Sequence, residues 1–177
     1  TQHNNGGSRH SGSSGGSAPV SSGPSAPSGN GGWSANKGAV AVQRARSTEG
    51  IVYAWAGGNQ YGPTRGVCAG DGAYNDCNVI GFDCSGLAMY AWGPYLSMDH
   101  FAASQYSQAG SYHPSFNALA PGDLVFWSYD GTQGNIHHVA IYIGGGQIVE
   151  APESGVPVRT ANLYEYGTPF GATRPLT

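Results

Sequence analysis

The stretch Gly81-Phe82-Asp83-Cys84-Ser85-Gly86-Leu87 sets a capping residue and a cysteine at the head of an apolar run. Asp83 suits an N-cap, because its carboxylate can accept from the orphan N–H groups of a first turn. Leu87, Tyr90 and Ala91 continue at i, i+3, i+4 until Gly93-Pro94 stops the helix. Cys84 then falls in the first turn, where the helix dipole and the unpaired N–H groups favour a thiolate. Downstream, His137-His138-Val139-Ala140-Ile141-Tyr142-Ile143-Gly144 is β-rich, and Gly144-Gly145-Gly146 reads as a hairpin loop returning through Gln147-Ile148-Val149-Glu150. His138 and Glu150 can thereby approach each other across adjacent strands. A cysteine nucleophile on a helix facing a histidine base on a strand is the chemistry these two segments suggest.

The remaining sequence divides around them. Residues 1–32 hold nine Gly, nine Ser and three Pro with Arg9 as the single charge, which cannot bury enough surface to offset ordering entropy. Residues 1–36 are therefore read as a linker or tail, with a wall-targeting module upstream as a possible partner, and residues 37–177 as one catalytic domain. A helix is expected over residues 37–47, ending near Gly50. Pro121-Gly122-Asp123 turns into a strand over residues 124–127, Asp130-Gly131 marks a second turn, and residues 156–159 and 170–174 read as two further short strands. The fold class expected is α+β, with helices first and then a meandering antiparallel sheet.

Composition excludes several functions. A net charge of −3 with 10% charged residues offers no basic stripe for a phosphate backbone, so nucleic acid is not an expected partner. No run approaches the roughly 18 apolar residues that span a bilayer, so membrane insertion is not expected. The opening Thr1-Gln2-His3-Asn4 has neither initiator Met nor apolar h-region, so any signal peptide is expected to have been removed or never to have existed, and the Gly- and Tyr-rich, Lys/Glu-poor composition points to a secreted or cell-wall protein.

The three cysteines, Cys68, Cys77 and Cys84, allow three pairings or full reduction. A Cys68–Cys77 bridge is preferred, because the Gly/Asp/Asn-rich segment between them lets its ends meet; Cys84 would then be the odd thiol. His137 and His138 point to opposite faces of a strand, so only one can face Cys84, and parity does not choose between them. The same alternation, with no Cys-x-x-Cys or His-x-x-x-His motif, leaves no expected metal site. Glu150 lies in an apolar run, where a carboxylate needs a partner such as an imidazole N–H; a surface role, or Glu153 acting in its place, is the alternative. His113 reads as loop, and Trp33, Trp55, Trp92 and Trp127 as core or cleft walls.

Asp83-Cys84-Ser85-Gly86-Leu87, Pro121-Gly122-Asp123-Leu124-Val125-Phe126, His138-Val139-Ala140-Ile141-Tyr142-Ile143-Gly144 and Gln147-Ile148-Val149-Glu150-Ala151-Pro152 stand in the order of the NlpC/P60 cell-wall peptidases. Tyr53-Ala54-Trp55-Ala56-Gly57-Gly58 also resembles that family's Tyr-x-Trp-Gly-Gly segment, so the resemblance covers roughly residues 37–175. It implies a papain-like fold and cofactor-free hydrolysis of peptidoglycan stem peptides, usually between D-glutamate, through its γ-carboxyl, and the diamino acid. It selects His138 over His137 as base, with Cys84 as nucleophile and Glu150 as orienting residue. It also implies substrate or oxyanion roles for Tyr53, Ser85 and Ser104. The sequence departs from the family at residues 63–80, a cysteine-bearing insertion ahead of the nucleophile helix that can reshape one wall of the cleft.

Overall fold

The computed structural model describes residues 31–68 and 75–177. Most of the 1–36 tail, and residues 69–74 between Cys68 and Cys77, lie outside the described residues. The first helix, α1 (Ala35–Arg46), begins upstream of residue 37 because Ser34 caps it, its Oγ accepting from Lys37 N–H at 3.2 Å. Trp33 is also anchored, its N–H donating to Leu176 O at 3.1 Å. A two-strand ribbon, β1 (Thr64–Arg65) and β2 (Ile80–Gly81), precedes α2 (Cys84–Trp92), which starts and stops where capping chemistry predicts. A third helix, α3 (Ala102–Gln108), has no sequence-level signature. It is short and Ala-rich, and it is pinned by the fully buried Gln105, whose Nε2 donates to Ser85 O at 3.0 Å and Asp99 O at 2.8 Å.

The chain then forms a five-stranded antiparallel sheet from β3 (Leu124–Ser128), β4 (Ile136–Gly144), β5 (Gln147–Glu150), β6 (Arg159–Asn162) and β7 (Gly171–Thr173), in the order β6-β5-β4-β3-β7. The β4–β5 hairpin turns on Gly144, Gly145 and Gly146, all with φ between +62° and +94°, which glycine alone adopts without strain. Alternation sorts the strands. Leu124, Phe126, Val139, Ile141 and Val149 meet the helices in the main core, whereas Val125, Trp127, Ala140 and Ile148 cover the other face with Leu163 and Ala172. This is the α+β architecture of helices on a central antiparallel sheet that the sequence suggests. No helix among the described residues is long and apolar enough to cross a membrane.

One expected strand is displaced. Residues 156–158 bond to the segment before the cleft instead of the sheet, through Tyr53 N–H to Val156 O (3.1 Å), Val158 N–H to Ile51 O (2.8 Å) and Gly50 N–H to Val158 O (2.9 Å). Pro157 has no N–H to give a ladder, so the ladder with β5 begins at Arg159.

The Pro121-Gly122-Asp123 turn is a structural joint. A Cβ on Gly122 (φ +103°) would lie 2.6 Å from Gly38 Cα, and one on Gly38 would lie 2.3 Å from Pro121 O, so helix and turn touch backbone to backbone. Asp123, fully buried, accepts from Ala120 N–H at 2.8 Å and takes a fork from Arg174, Nε to Oδ1 at 3.0 Å and a terminal N–H to Oδ2 at 2.9 Å. The guanidinium also lies over the Trp33 ring at 4.8 Å. Arg174→Ala removes the only charged partner that this buried carboxylate has among the described residues and is expected to cost about 3 kcal/mol, read as a fall in chemical-denaturation midpoint without a change in slope.

Candidate active site

Helix α2 is buried almost all round, through Leu87, Ala88, Ala91 and Trp92, so its first turn is fixed by the core. Asp83 caps it, Oδ1 accepting from Gly86 N–H at 2.7 Å. The residues 53–58 pack on this turn: Asp83 N–H donates to Gly57 O at 3.0 Å, and a Cβ on Gly86 would lie 2.1 Å from that oxygen. Gly86 is therefore required by a close backbone approach, and the same contact carries Tyr53 and Trp55 to the cleft.

Cys84 is the free cysteine, half-buried, while Cys68 and Cys77 are joined in a disulfide. Its sulfur lies against β4. It is 4.0 Å from His137 O, and the amides of Val139, Ser85 and Cys84 itself are directed at it. The thiol thus sits at the strand position of His138. Along β4, Ile136 is buried, His137 exposed and His138 buried, so the structure separates the two histidines as alternation requires. His138 turns inward, and its Nε2 meets Glu150 Oε2 at 2.8 Å. Val149 pairs with Ile141 and Ile148 with Tyr142. Continuing that register sets Glu150 opposite Ala140 and diagonal to His138 on the same face. The bond to Glu150 occupies Nε2 and leaves Nδ1 as the ring nitrogen for the thiol. His137 stacks instead on Tyr129, with ring centroids 3.8 Å apart.

Glu150 is completely buried and fully engaged. Oε1 accepts from Tyr166 OH at 2.7 Å and from Arg159 Nε at 3.1 Å. Burial alone would raise its carboxyl, but the His138 bond, the Tyr166 hydroxyl and the Arg159 guanidinium outweigh this and hold it below the usual glutamate range. In turn, burial and the Glu150 charge push the Tyr166 phenol up to about 12, so it stays a donor. Arg159 and Tyr166 were not foreseen from the sequence. Arg159 pairs opposite Glu150 in the β5–β6 ladder, a register that a hairpin reading extended by one strand could have supplied; Tyr166 lies in a loop with no local signal.

The thiol itself departs from expectation. Burial, followed by the adjacent Asp83 charge, pushes it up to about 12, against the pull of the three amides. Desolvation thus outweighs the helix-start advantage at this thiol. Asp83, read from the sequence only as a cap, also lines the cleft beside Cys84. It also meets His100 Nε2 at 2.6 Å, a residue that no sequence motif marked. Asp83→Asn keeps a capping oxygen but removes the charge, so its thiol is expected to ionise at lower pH. Iodoacetamide labelling of Cys84 should show its pH midpoint move downward; an unmoved midpoint would discount Asp83.

The cleft has two lobes of about 350 Å³ and 630 Å³ that share Tyr53, Trp55, Tyr129 and His137. His138, Glu153, Ser154 and Arg159 line the first, and Cys84, Ser85, Asp83 and His100 the second. Of the residues singled out beforehand, Tyr53 faces both lobes, and Ser85 lines the second with its hydroxyl donated to Asp83 Oδ1 at 3.2 Å. Ser104 lines neither lobe; α3 presents Ala102 there. Glu153 lies on the cleft wall, but the carboxylate that holds His138 is Glu150. Among the described residues, no group of three or more His, Cys, Asp or Glu is arranged to hold a metal ion.

A cysteine at a helix start, laid against the strand that carries a histidine held by a buried carboxylate, has the residue types of a thiol hydrolase's nucleophile, base and orienting group. The NlpC/P60 family model matches residues 50–169, and the chain belongs to that family. It is 40% identical over 133 residues to the peptidoglycan endopeptidase RipA of Mycolicibacterium smegmatis, a match covering 72% of this chain and 24% of RipA, so it spans about a quarter of that relative. The solved structure of the peptidoglycan hydrolase RipB of Mycobacterium tuberculosis is similar at TM-score 0.67 and 33% identity, covering 80% of this chain and 66% of RipB. RipD of Mycobacterium tuberculosis, described as a non-catalytic NlpC/P60 domain protein adapted to peptidoglycan binding, is similar at TM-score 0.63 and 30% identity, over 78% of this chain and 96% of RipD.

Proposed function

We propose that this domain is a cysteine endopeptidase that hydrolyses peptidoglycan stem peptides at the D-γ-glutamyl–diamino acid bond. The observations that carry the reading are Cys84 Sγ against the β4 backbone at His137 O, one residue from His138, and the bond from His138 Nε2 to buried Glu150. As the sulfur attacks the amide carbonyl, His138 Nδ1 takes the thiol proton. The Cys84 backbone N–H is available to the oxyanion, with Tyr53 on the adjoining wall. Collapse of the tetrahedral adduct breaks the C–N bond, and the imidazolium protonates the departing amine. His138 then deprotonates water, which cleaves the thioester and returns the thiol. No cofactor enters the scheme.

The disulfide suits an oxidising compartment and supports action in the cell wall, outside the cytoplasm. Purified muropeptides incubated with the protein and analysed by mass spectrometry test the assignment. New termini at D-glutamate and the diamino acid are expected. Retention of intact muropeptide on the protein, with no product, would make it a binding domain instead.

A further inference from the structure

The insertion at residues 63–80 does more than decorate the cleft, and we propose that Asp76 within it is a positioning residue that ties the two banks of the substrate groove together. This rests on the stem-peptide reading and extends it to what sets the groove's width. One carboxylate oxygen makes the tie: Asp76 Oδ2 accepts from Trp55 N–H at 2.8 Å on one bank and from Ser154 Oγ at 2.6 Å on the other. Trp55 borders both lobes of the cleft, and Ser154 borders the lobe lined by His138. Asp76 is itself buried, so this pair of hydrogen bonds is not one that water readily replaces.

The insertion is built to hold Asp76 still. Its base is the β1–β2 ribbon, in which Thr64 pairs with Gly81 and Arg65 with Ile80. Gly66 N–H donates to Val79 O at 2.9 Å, Val67 N–H to Trp55 O at 3.0 Å, and Asp76 N–H to Val67 O at 3.1 Å. A Cβ on Gly66 would lie 2.7 Å from Asp76 O and 2.8 Å from Trp55 O, so the three backbones are in contact. The Cys68–Cys77 disulfide closes the loop one residue beyond Asp76. A covalently closed loop thus presents a carboxylate that fixes how far Trp55 stands from the turn carrying Glu153 and Ser154. Groove width acts on substrate fit more than on bond making, so the effect belongs in KM.

The test uses Asp76→Ala, Asp76→Asn and Ser154→Ala with a stem tetrapeptide substrate. Asp76→Ala is expected to raise KM about tenfold while kcat falls less than about threefold. Asp76→Asn, whose amide oxygen can still accept both bonds, returns KM to within about threefold of the parent, and Ser154→Ala falls between them. An unchanged KM in Asp76→Ala, or equal losses in kcat, thermal stability and affinity with no rescue by asparagine, overturns the proposal. Absence of turnover in the parent protein would refute the hydrolase reading alone. The tie is then read from hydrogen exchange at the Trp55 amide, where protection lost in Asp76→Ala and kept in Asp76→Asn sustains it and protection kept in both overturns it.

Discussion

Cys84→Ala is expected to lower kcat by roughly 10⁵-fold, to whatever background the oxyanion donors and substrate binding sustain. In the proposed mechanism the sulfur is the atom that forms the covalent bond, and neither described serine on the cleft walls is placed to substitute for it. Ser85 donates its hydroxyl to Asp83, and Ser154 donates its own to Asp76. Neither is bonded to an imidazole, so neither has a base to activate it. The helix should survive, because the Asp83 cap to Gly86 N–H does not involve the thiol and alanine is a strong helix former. Steady-state hydrolysis with circular dichroism on the same sample checks both halves: folded and inactive is the expected pair.

Glu150→Ala should damage stability and activity together. Three donors converge on this buried carboxylate, from His138, Arg159 and Tyr166, and removal leaves the imidazole and phenol without their acceptor. A cost of about 3 kcal/mol is expected, with Arg159 the least affected because it is partly exposed and can rehydrate. Activity should fall by roughly 10³-fold, because His138, the base of the proposed mechanism, loses the bond that fixes its tautomer and ring orientation. The pH dependence has a definite sign. The folded Glu150 carboxyl is held below its usual range, so its contribution to stability is complete above that range and lost as pH falls through the folded value. The gap in melting temperature between the parent and Glu150→Gln should therefore narrow between about pH 6 and about pH 3. A gap that widened on acidification would contradict the network.

The residues that were legible from sequence are those whose signal is local. Asp83 and Cys84 follow from capping, Glu150 from a glycine-turned hairpin, and the Cys68–Cys77 pairing from a turn-rich loop of short span. The choice between His137 and His138 needed either family resemblance or the observed burial alternation, because period-2 reasoning is blind to which face is inward. What escaped notice is held by contacts distant in sequence. Asp76 reaches Ser154 across 78 residues, and His100 meets Asp83 through a loop with no periodicity. Helix α3 escaped because the amide of Gln105, not an apolar stripe, fixes it. The environment of the Cys84 thiol is illegible for a different reason. Helix-start electrostatics can be read from a motif, but the burial that outweighs them exists only once β4 lies over the sulfur.

The most direct test of the account is intact-protein mass spectrometry of acid-quenched reactions with a stem tetrapeptide. The account predicts a transient adduct with the mass of the fragment N-terminal to the cleaved bond, localised by peptide mapping to the segment containing Cys84 and absent from Cys84→Ala. Continued cleavage by Cys84→Ala with no adduct in either protein would contradict it.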